Sequence, residues 1–234
     1  MRIATFNTCH GTRGAGTPVD LDALVAACRA FDADLIALEE VDRTSRRGRR
    51  ADQAAVVAEA LGMAHVWGRA RRKAGVVSGN ALLARGEIRD VEVMALRGHV
   101  RRGWRDHRSA VLATVDLEGG PVSVAVAHLS LTVVDNLPQQ RSVLDALGCR
   151  PGPRLLLGDL NRRTAWVRPD VERAGFTLAD DDVPSSSRTH PWIRIDHVAA
   201  DGLAIEDVRI VDTGTSDHRA LVAEVARLGG WSRR

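Results

Sequence analysis

Residues 154–161 read Arg154-Leu155-Leu156-Leu157-Gly158-Asp159-Leu160-Asn161. Three leucines in succession predict a strand buried on both faces, as in a sheet that is covered on each side. The run stops at a glycine and presents two acceptor side chains, Asp159 and Asn161, on its carboxyl-side turn. A buried strand of this kind is a rigid mount for a catalytic group. In isolation, Gly-Asp after a strand is a turn signal and nothing more. The case for chemistry comes from recurrence.

Asn7 follows Ile3-Ala4-Thr5-Phe6, and Glu40, after Glu39, ends the run Leu35-Ile36-Ala37-Leu38. His128 ends the apolar run 122–127. Asp196 sits within Arg194-Ile195-Asp196-His197, and Ser216-Asp217-His218 directly precedes a last strand over 220–226. Polar groups at the same relative point on buried strands converge on one rim. The oxygens of Asn7, Glu40, Asp159, Asn161 and Asp217 are hard ligands. They suit Mg²⁺ or Mn²⁺, whereas zinc favours more His or Cys. Mg²⁺ takes one or two protein carboxylates and keeps several waters, which leaves other groups to orient water or move protons.

Helical spacing fills the intervals. Asp20 is placed to cap a helix with Leu21, Leu24, Cys28 and Phe31 on one face. Further helices are expected over 52–61, stopping at Gly62, over 138–147 and over 166–174. Strands are expected at 66–67, 80–84, 87–96, 108–117, 194–198 and 204–211, with a hairpin turn at Gly119-Gly120. Residues 69–79 read as a flexible basic stretch and 97–107 as a second basic loop. No Pro/Gly/Ser linker divides the chain, so residues 1–234 are expected to form one domain. Strands apolar on successive residues need cover on both faces, which two packed sheets with helices outside provide.

Composition bounds the partners. With 234 residues there is ample length for a core. Net charge is +3, and Lys73 is the only lysine among many arginines. That bias makes the basic balance a property of composition, not by itself a sign of nucleic acid. Cys9, Cys28 and Cys149 are odd in number and form no CxxC pair, which argues against a disulfide framework or a thiolate zinc site. The opening MRIATFN reads as a strand, not a signal peptide, and no apolar stretch reaches membrane-spanning length. A cytoplasmic protein without a membrane span is expected.

The ordered set Phe6-Asn7, Leu38-Glu39-Glu40-Val41, Gly79-Asn80-Ala81-Leu82-Leu83, His128-Leu129, Gly158-Asp159-Leu160-Asn161, Ile195-Asp196-His197-Val198 and Ser216-Asp217-His218-Arg219 resembles the motifs of the endonuclease/exonuclease/phosphatase superfamily. The resemblance spans nearly the whole chain. It implies a four-layer α/β/β/α sandwich of two mixed sheets and metal-dependent cleavage of a phosphate ester. By that likeness Glu40 is the main ligand for Mg²⁺ or Mn²⁺, with Asn7 and Asp217 near the ion. Asp159, helped by Asn161, orients or deprotonates the attacking water. His218, held by Asp196, contacts the scissile phosphate, and His128 is a second site histidine. Asn80 and Arg108 are expected to bind substrate.

Three departures narrow the likeness. Glu39 stands where the family usually has glutamine. Cys9 stands where the abasic-site enzymes carry an aspartate, and the chain has no tyrosine for their active-site position. The start Phe6-Asn7-Thr8-Cys9-His10-Gly11, with Asp42 and its arginine loop, resembles small bacterial members.

The leading expectation is a phosphodiesterase acting by in-line attack of water. A nucleic-acid substrate would use Arg46, Arg47, Arg49, Arg50, Arg69, Arg71, Arg72, Arg101, Arg102 and Arg105, with Trp67, Trp104, Trp166 or Trp192 for stacking. A small phosphate ester or lipid headgroup would need few of these. A non-catalytic binding module retaining the fold is the third option.

Overall fold

The computed structural model describes residues 1–14, 16–43, 51–73, 76–98, 100–101, 104–105, 107–179 and 183–228, with backbone alone at 71–73, 100–101 and 104–105. In chain order the strands are β1 (Arg2–Asn7), β2 (Leu35–Asp42), β3 (Ala64–Lys73), β4 (Val76–Ala84), β5 (Glu87–Leu96), β6 (Val100–Arg101) and β7 (Trp104–Arg105). They continue as β8 (Arg108–Leu117), β9 (Gly120–His128), β10 (Arg154–Asp159), β11 (Thr177–Leu178), β12 (Asp196–Asp201), β13 (Leu203–Val211) and β14 (Ala220–Arg227). The helices are α1 (Leu21–Phe31), α2 (Gln53–Leu61), α3 (Val133–Gly148) and α4 (Thr164–Arg173), with a 3₁₀ turn at Cys9–Gly11.

Two six-stranded mixed sheets result, ordered β13-β14-β1-β2-β4-β3 and β11-β12-β10-β9-β8-β5. Each contains one parallel pair, β1 with β2 and β9 with β10, and the other pairings are antiparallel. α1 crosses over between β1 and β2, and α3 between β9 and β10, the connection that parallel neighbours require. The β10 leucines divide between two cores. Leu155 and Leu157 pack between the sheets with Ile3, Leu35 and Val126. Leu156 faces the helix layer with Leu144 and Val167. A third core lies under α1 and α2, where Phe6 meets Phe31 edge-on at 5.8 Å. Helix, sheet, sheet and helix therefore stack in four layers. Each buried leucine contributes roughly 1.5–3 kcal/mol of transfer free energy.

The caps follow sequence chemistry. The Asp20 and Asp52 carboxylates accept the Ala23 and Ala55 N–H groups, and Gly62 closes α2 at φ 65°. Three expectations are corrected. Residues 69–79, read as flexible, instead carry the ends of β3 and β4, paired from Ala64↔Ala84 to Lys73↔Val76. The third helix starts at Val133, not at residue 138, because the Thr132 carbonyl accepts the Asp135 and Asn136 N–H groups. Val133 and Val134 are exposed there, which broke the apolar period. The strand expected over 194–198 begins at Asp196 and runs to Asp201, because its partner β10 pairs Asp159 with Asp196 and Arg154 with Asp201. No described helix is long and apolar enough to cross a membrane.

Candidate active site

The topology brings the polar strand ends to one edge. β1 and β2 run parallel and finish at Asn7 and Asp42, and β9 and β10 run parallel and finish at His128 and Asp159. β12 and β14 are antiparallel to β10 and β1, so they start at that same edge, with Asp196 opposite Asp159 and His218 just before β14. Gly158 lets β10 lie close beside β9. A Cβ there would stand 1.9 Å from the Ala127 carbonyl oxygen, and its φ of +143° suits only glycine.

Asp159 is buried and held on both oxygens. Asn7 Nδ2 donates to Oδ2 at 3.0 Å, and the Asn161 backbone N–H donates to Oδ1 at 2.9 Å. Asn161 adopts φ +52° and its amide donates to the Leu129 carbonyl at 2.9 Å, tying the β10 turn to the end of β9. His218 Nδ1 lies 3.0 Å from Asp196 Oδ2, and its Nε2 lies 3.9 Å from Asp159 Oδ2. The Ser185 hydroxyl accepts the Asp196 N–H at 3.2 Å, and the Ser216 hydroxyl donates to the Asn7 carbonyl at 2.7 Å.

His128 spans the mouth. Its Nε2 is 3.5 Å from Asp159 Oδ2 and its Nδ1 is 4.0 Å from Glu40 Oε1. Both separations are too long for strong hydrogen bonds. Burial, with the positive charge of Arg108 and the nearby His218 and His10, pushes its pKa far down and keeps it neutral. Glu40 is placed by a β-bulge in β2, where the register with β4 shifts between Leu38 and Val41 and φ at Glu40 is +54°. Bulges re-aim side chains in this way beside many sites. The kink sends Glu39 inward, fully buried, and Glu40 outward, with 31% of its side chain exposed.

The electrostatics separate the groups. Burial and the charge of Asp196 lift Asp159 to about 7. Burial also opposes ionisation of Asp196, but His218 overcomes it and holds that carboxyl below its ordinary value. Burial alone would lower His218; the charge and hydrogen bond of Asp196, with Asp159 and Asp217, raise it to about 10. Glu39 is driven well up by burial and by Asp196 and Asp159, so it stays protonated, accepting from the Thr5 hydroxyl at 3.1 Å. Asp217 lies beside Cys9, whose thiol burial raises to about 11 with help from Asp217 and Glu40.

A divalent cation fits this edge. Glu39, Glu40, Asp42, Asp159, Asp196 and Asp217 crowd it, and burial with neighbouring charge already forces two of them, Glu39 and Asp159, toward their neutral forms. Asp159, Asp196 and His218 each bring one donor atom within 4.8 Å of the others. His218 Nδ1 is committed to Asp196 there, however, and the group is mostly buried, with 11% of the His218 side chain exposed. Glu40, about a third exposed in a recess with His10, Asn80, Arg108 and His128, is the more open anionic ligand.

The sequence model of the Endonuclease/Exonuclease/phosphatase family matches residues 4–218. The chain belongs to this family. Its members hydrolyse phosphate esters, and that class of chemistry applies here; enzymes of the family generally use divalent metals. An endonuclease/exonuclease/phosphatase from Beutenbergia cavernae is 27% identical with a TM-score of 0.85, over 98% of this chain and 72% of that one. The human Nocturnin catalytic domain with bound sulfate is 15% identical with a TM-score of 0.73, over 97% of this chain and 93% of that one. A Bacteroides thetaiotaomicron mannosyl-6-phosphatase is 15% identical with a TM-score of 0.71, over 97% of this chain and 99% of that one. No curated protein matches.

In this family member, the structure gathers Asn7, Glu40, His128, Asp159, Asn161, Asp196 and His218 at one edge, with Asp217 beside Cys9. Asn80 is buried in the same recess, its amide donating to the Ser109 carbonyl at 2.7 Å, and Arg108 lines it too. Arg46, Arg47, Arg49, Arg50 and Arg102, and the side chains of Arg71, Arg72, Arg101, Arg105 and Trp104, lie outside the described residues. Trp67 donates from its indole to the Val41 carbonyl at 3.3 Å. Sequence reasoning gave no role to His10 or Asp42, which meet at 2.8 Å beside Glu40. The signal was a histidine inside a glycine-rich turn and an acid closing β2.

Proposed function

We propose that the chain is a divalent-metal-dependent phosphodiesterase using in-line attack by an activated water. The observation that carries this is Asp159, gripped by Asn7 and Asn161 with the imidazoles of His128 and His218 within 4 Å. With a pKa near 7, Asp159 is matched to accept a water proton at neutral pH. Asn7 and Asn161 fix its orientation. His218, charged and steadied by Asp196, donates to a phosphate oxygen. Neutral His128 orients the water or a second phosphate oxygen. Arg108 and Asn80 bind the phosphate from the recess. Glu40, with Asn7 and Asp217, would hold Mg²⁺ or Mn²⁺, and a bound ion supplies charge against that developing on the leaving oxygen.

Nucleic acid is the proposed substrate class. Arg162 lies 5.9 Å over the Trp166 ring and Arg163 lies 5.9 Å over Trp192, directly after Asn161. Trp166 and Trp192 are 56% and 67% exposed, leaving ring surface for bases to stack on. We treat residues 1–234 as one working unit, because both sheets supply the site. We also place the chain in the cytoplasm, where Cys9, Cys28 and Cys149 would stay reduced.

Hydrolysis of bis-p-nitrophenyl phosphate with and without Mg²⁺ or Mn²⁺ tests the chemistry, with Asp159→Ala as control. Metal-dependent turnover lost in the variant is expected. Equal turnover in both proteins, or none in either, supports a non-catalytic module instead. A nuclease should also lose oligonucleotide affinity steeply with salt, because phosphate contacts release counterions. A flat salt response points to a small phosphate ester.

A further inference from the structure

The 3₁₀ turn after β1 is built around His10. Cys9, His10 and Gly11 hold φ of 47°, 60° and 72°, three left-handed residues in succession. Such backbone is unfavourable for the two that carry a Cβ and persists only where the surroundings enforce it. Gln53 enforces it here. Its fully buried amide donates to the His10 carbonyl at 2.8 Å, and its oxygen accepts the Asp42 N–H at 2.8 Å. A Cβ on Gly11 would come within 2.8 Å of the Gln53 amide nitrogen, so the turn and its staple fit tightly.

The staple fixes the imidazole between two acids. His10 Nδ1 is 2.8 Å from Asp42 Oδ1, on a side chain only 3% exposed. Its Nε2 is 3.4 Å from Glu40 Oε2, on the wetter side of the recess. A carboxylate on one ring nitrogen selects the tautomer whose other nitrogen offers its lone pair, the usual support for a metal-bound histidine. Two donors about 2.1 Å from one ion stand about 3.0–3.4 Å apart at right or tetrahedral angles, which the Nε2 to Oε2 spacing meets.

We propose that His10 is a nitrogen ligand of the divalent ion at Glu40, with Asp42 as the residue that positions it. The site would then discriminate among ions. Imidazole suits transition metals, whereas Mg²⁺ favours oxygen alone, so the structure assigns a preference for Mn²⁺ over Mg²⁺. The proposal rests on the reading that a divalent ion sits at Glu40.

Mn²⁺ is the probe, followed by electron paramagnetic resonance without any substrate. Bound Mn²⁺ should show nitrogen modulation in the wild type that disappears in His10→Ala and persists in His128→Ala. Mn²⁺ affinity should fall about tenfold in His10→Ala, and by a similar factor in Asp42→Asn, while Mg²⁺ affinity changes less than about twofold. His10→Asn, with an unchanged circular dichroism melt, serves if His10→Ala does not fold. Modulation that survives His10→Ala, or tighter Mn²⁺ binding once the imidazole is gone, overturns the proposal. The second result would mean that His10 is a cation neutralising Glu40. If the wild type hydrolyses no phosphodiester yet shows the His10-dependent modulation, the phosphodiesterase reading fails and this one stands.

Discussion

The floor and the lip of the candidate site are made of the same residue types and behave differently. On the floor, Asp159, Asp196 and His218 are buried, and neighbours decide their charges. At the lip, Glu40 and His10 keep roughly a third of their side chains in water. A dry group is suited to moving protons, because its pKa is set by fixed partners. A wet carboxylate beside a recess is suited to exchanging an ion with solvent. Sheet position makes the difference. The floor is formed where β10 and β12 pair edge to edge, and the lip where a bulge turns β2 outward.

That contrast can be broken by substitution. The largest effect is expected for Asp159→Asn, which removes the base and should cut turnover ~10³–10⁴-fold at saturating metal. Single-turnover kinetics measure it, and added Mn²⁺ should restore nothing. Asp196→Asn comes next, at ~10²-fold in kcat, because His218 loses the charge that keeps it protonated. The alkaline limb of its pH profile should move to lower pH.

The pH profile of the wild type sharpens the same point. Asp159 works ionised, so kcat/KM should fall about tenfold for each pH unit below about 7. His218 works charged, so activity should fade as pH rises through about 10. For stability the two groups act with the same sign. Both folded values are raised above the unfolded ones. The His218 contribution is therefore whole below its ordinary value of 6.5 and lost through about 10. The Asp159 contribution is whole below its ordinary 3.8 and lost as pH rises to about 7.

At the lip the losses should be repairable. Asp217→Asn is expected to cost about tenfold at limiting metal and little at saturating metal, a gap visible in a Mn²⁺ titration of rate. The smallest catalytic change is expected for Glu39→Gln, under about twofold, because Glu39 is already neutral. Its mark should be thermal. The wild-type carboxyl costs stability increasingly as pH rises above its unfolded value, so the melting-temperature advantage of the variant should grow from pH 5 to pH 8.

Much of this was legible in the sequence because burial leaves a local trace. Leu155-Leu156-Leu157 announced a doubly covered strand, and each strand-end polar group sits at the edge where that reasoning put it. What was not legible is relational. Glu39 and Glu40 are identical neighbours, and only the bulge tells them apart. Residues 69–79 are basic enough to read as loop, yet β3 and β4 pair across them. His10 meets Asp42 in a turn that Gln53, far along the chain, holds by bonding both the His10 carbonyl and the Asp42 N–H.

β14 carries a consequence for how the protein comes into being. It lies between β13 and β1, and the residues just ahead of it bring His218 to Asp196 and Ser216 to the Asn7 carbonyl, 209 positions away. A ribosome must therefore release residues 2–227 before β1 and β14 can pair. Pairings that distant are intrinsically slow to form. Newly made molecules should therefore gain their compact shape before they gain turnover, and the delay would be a direct clock on the insertion of that strand.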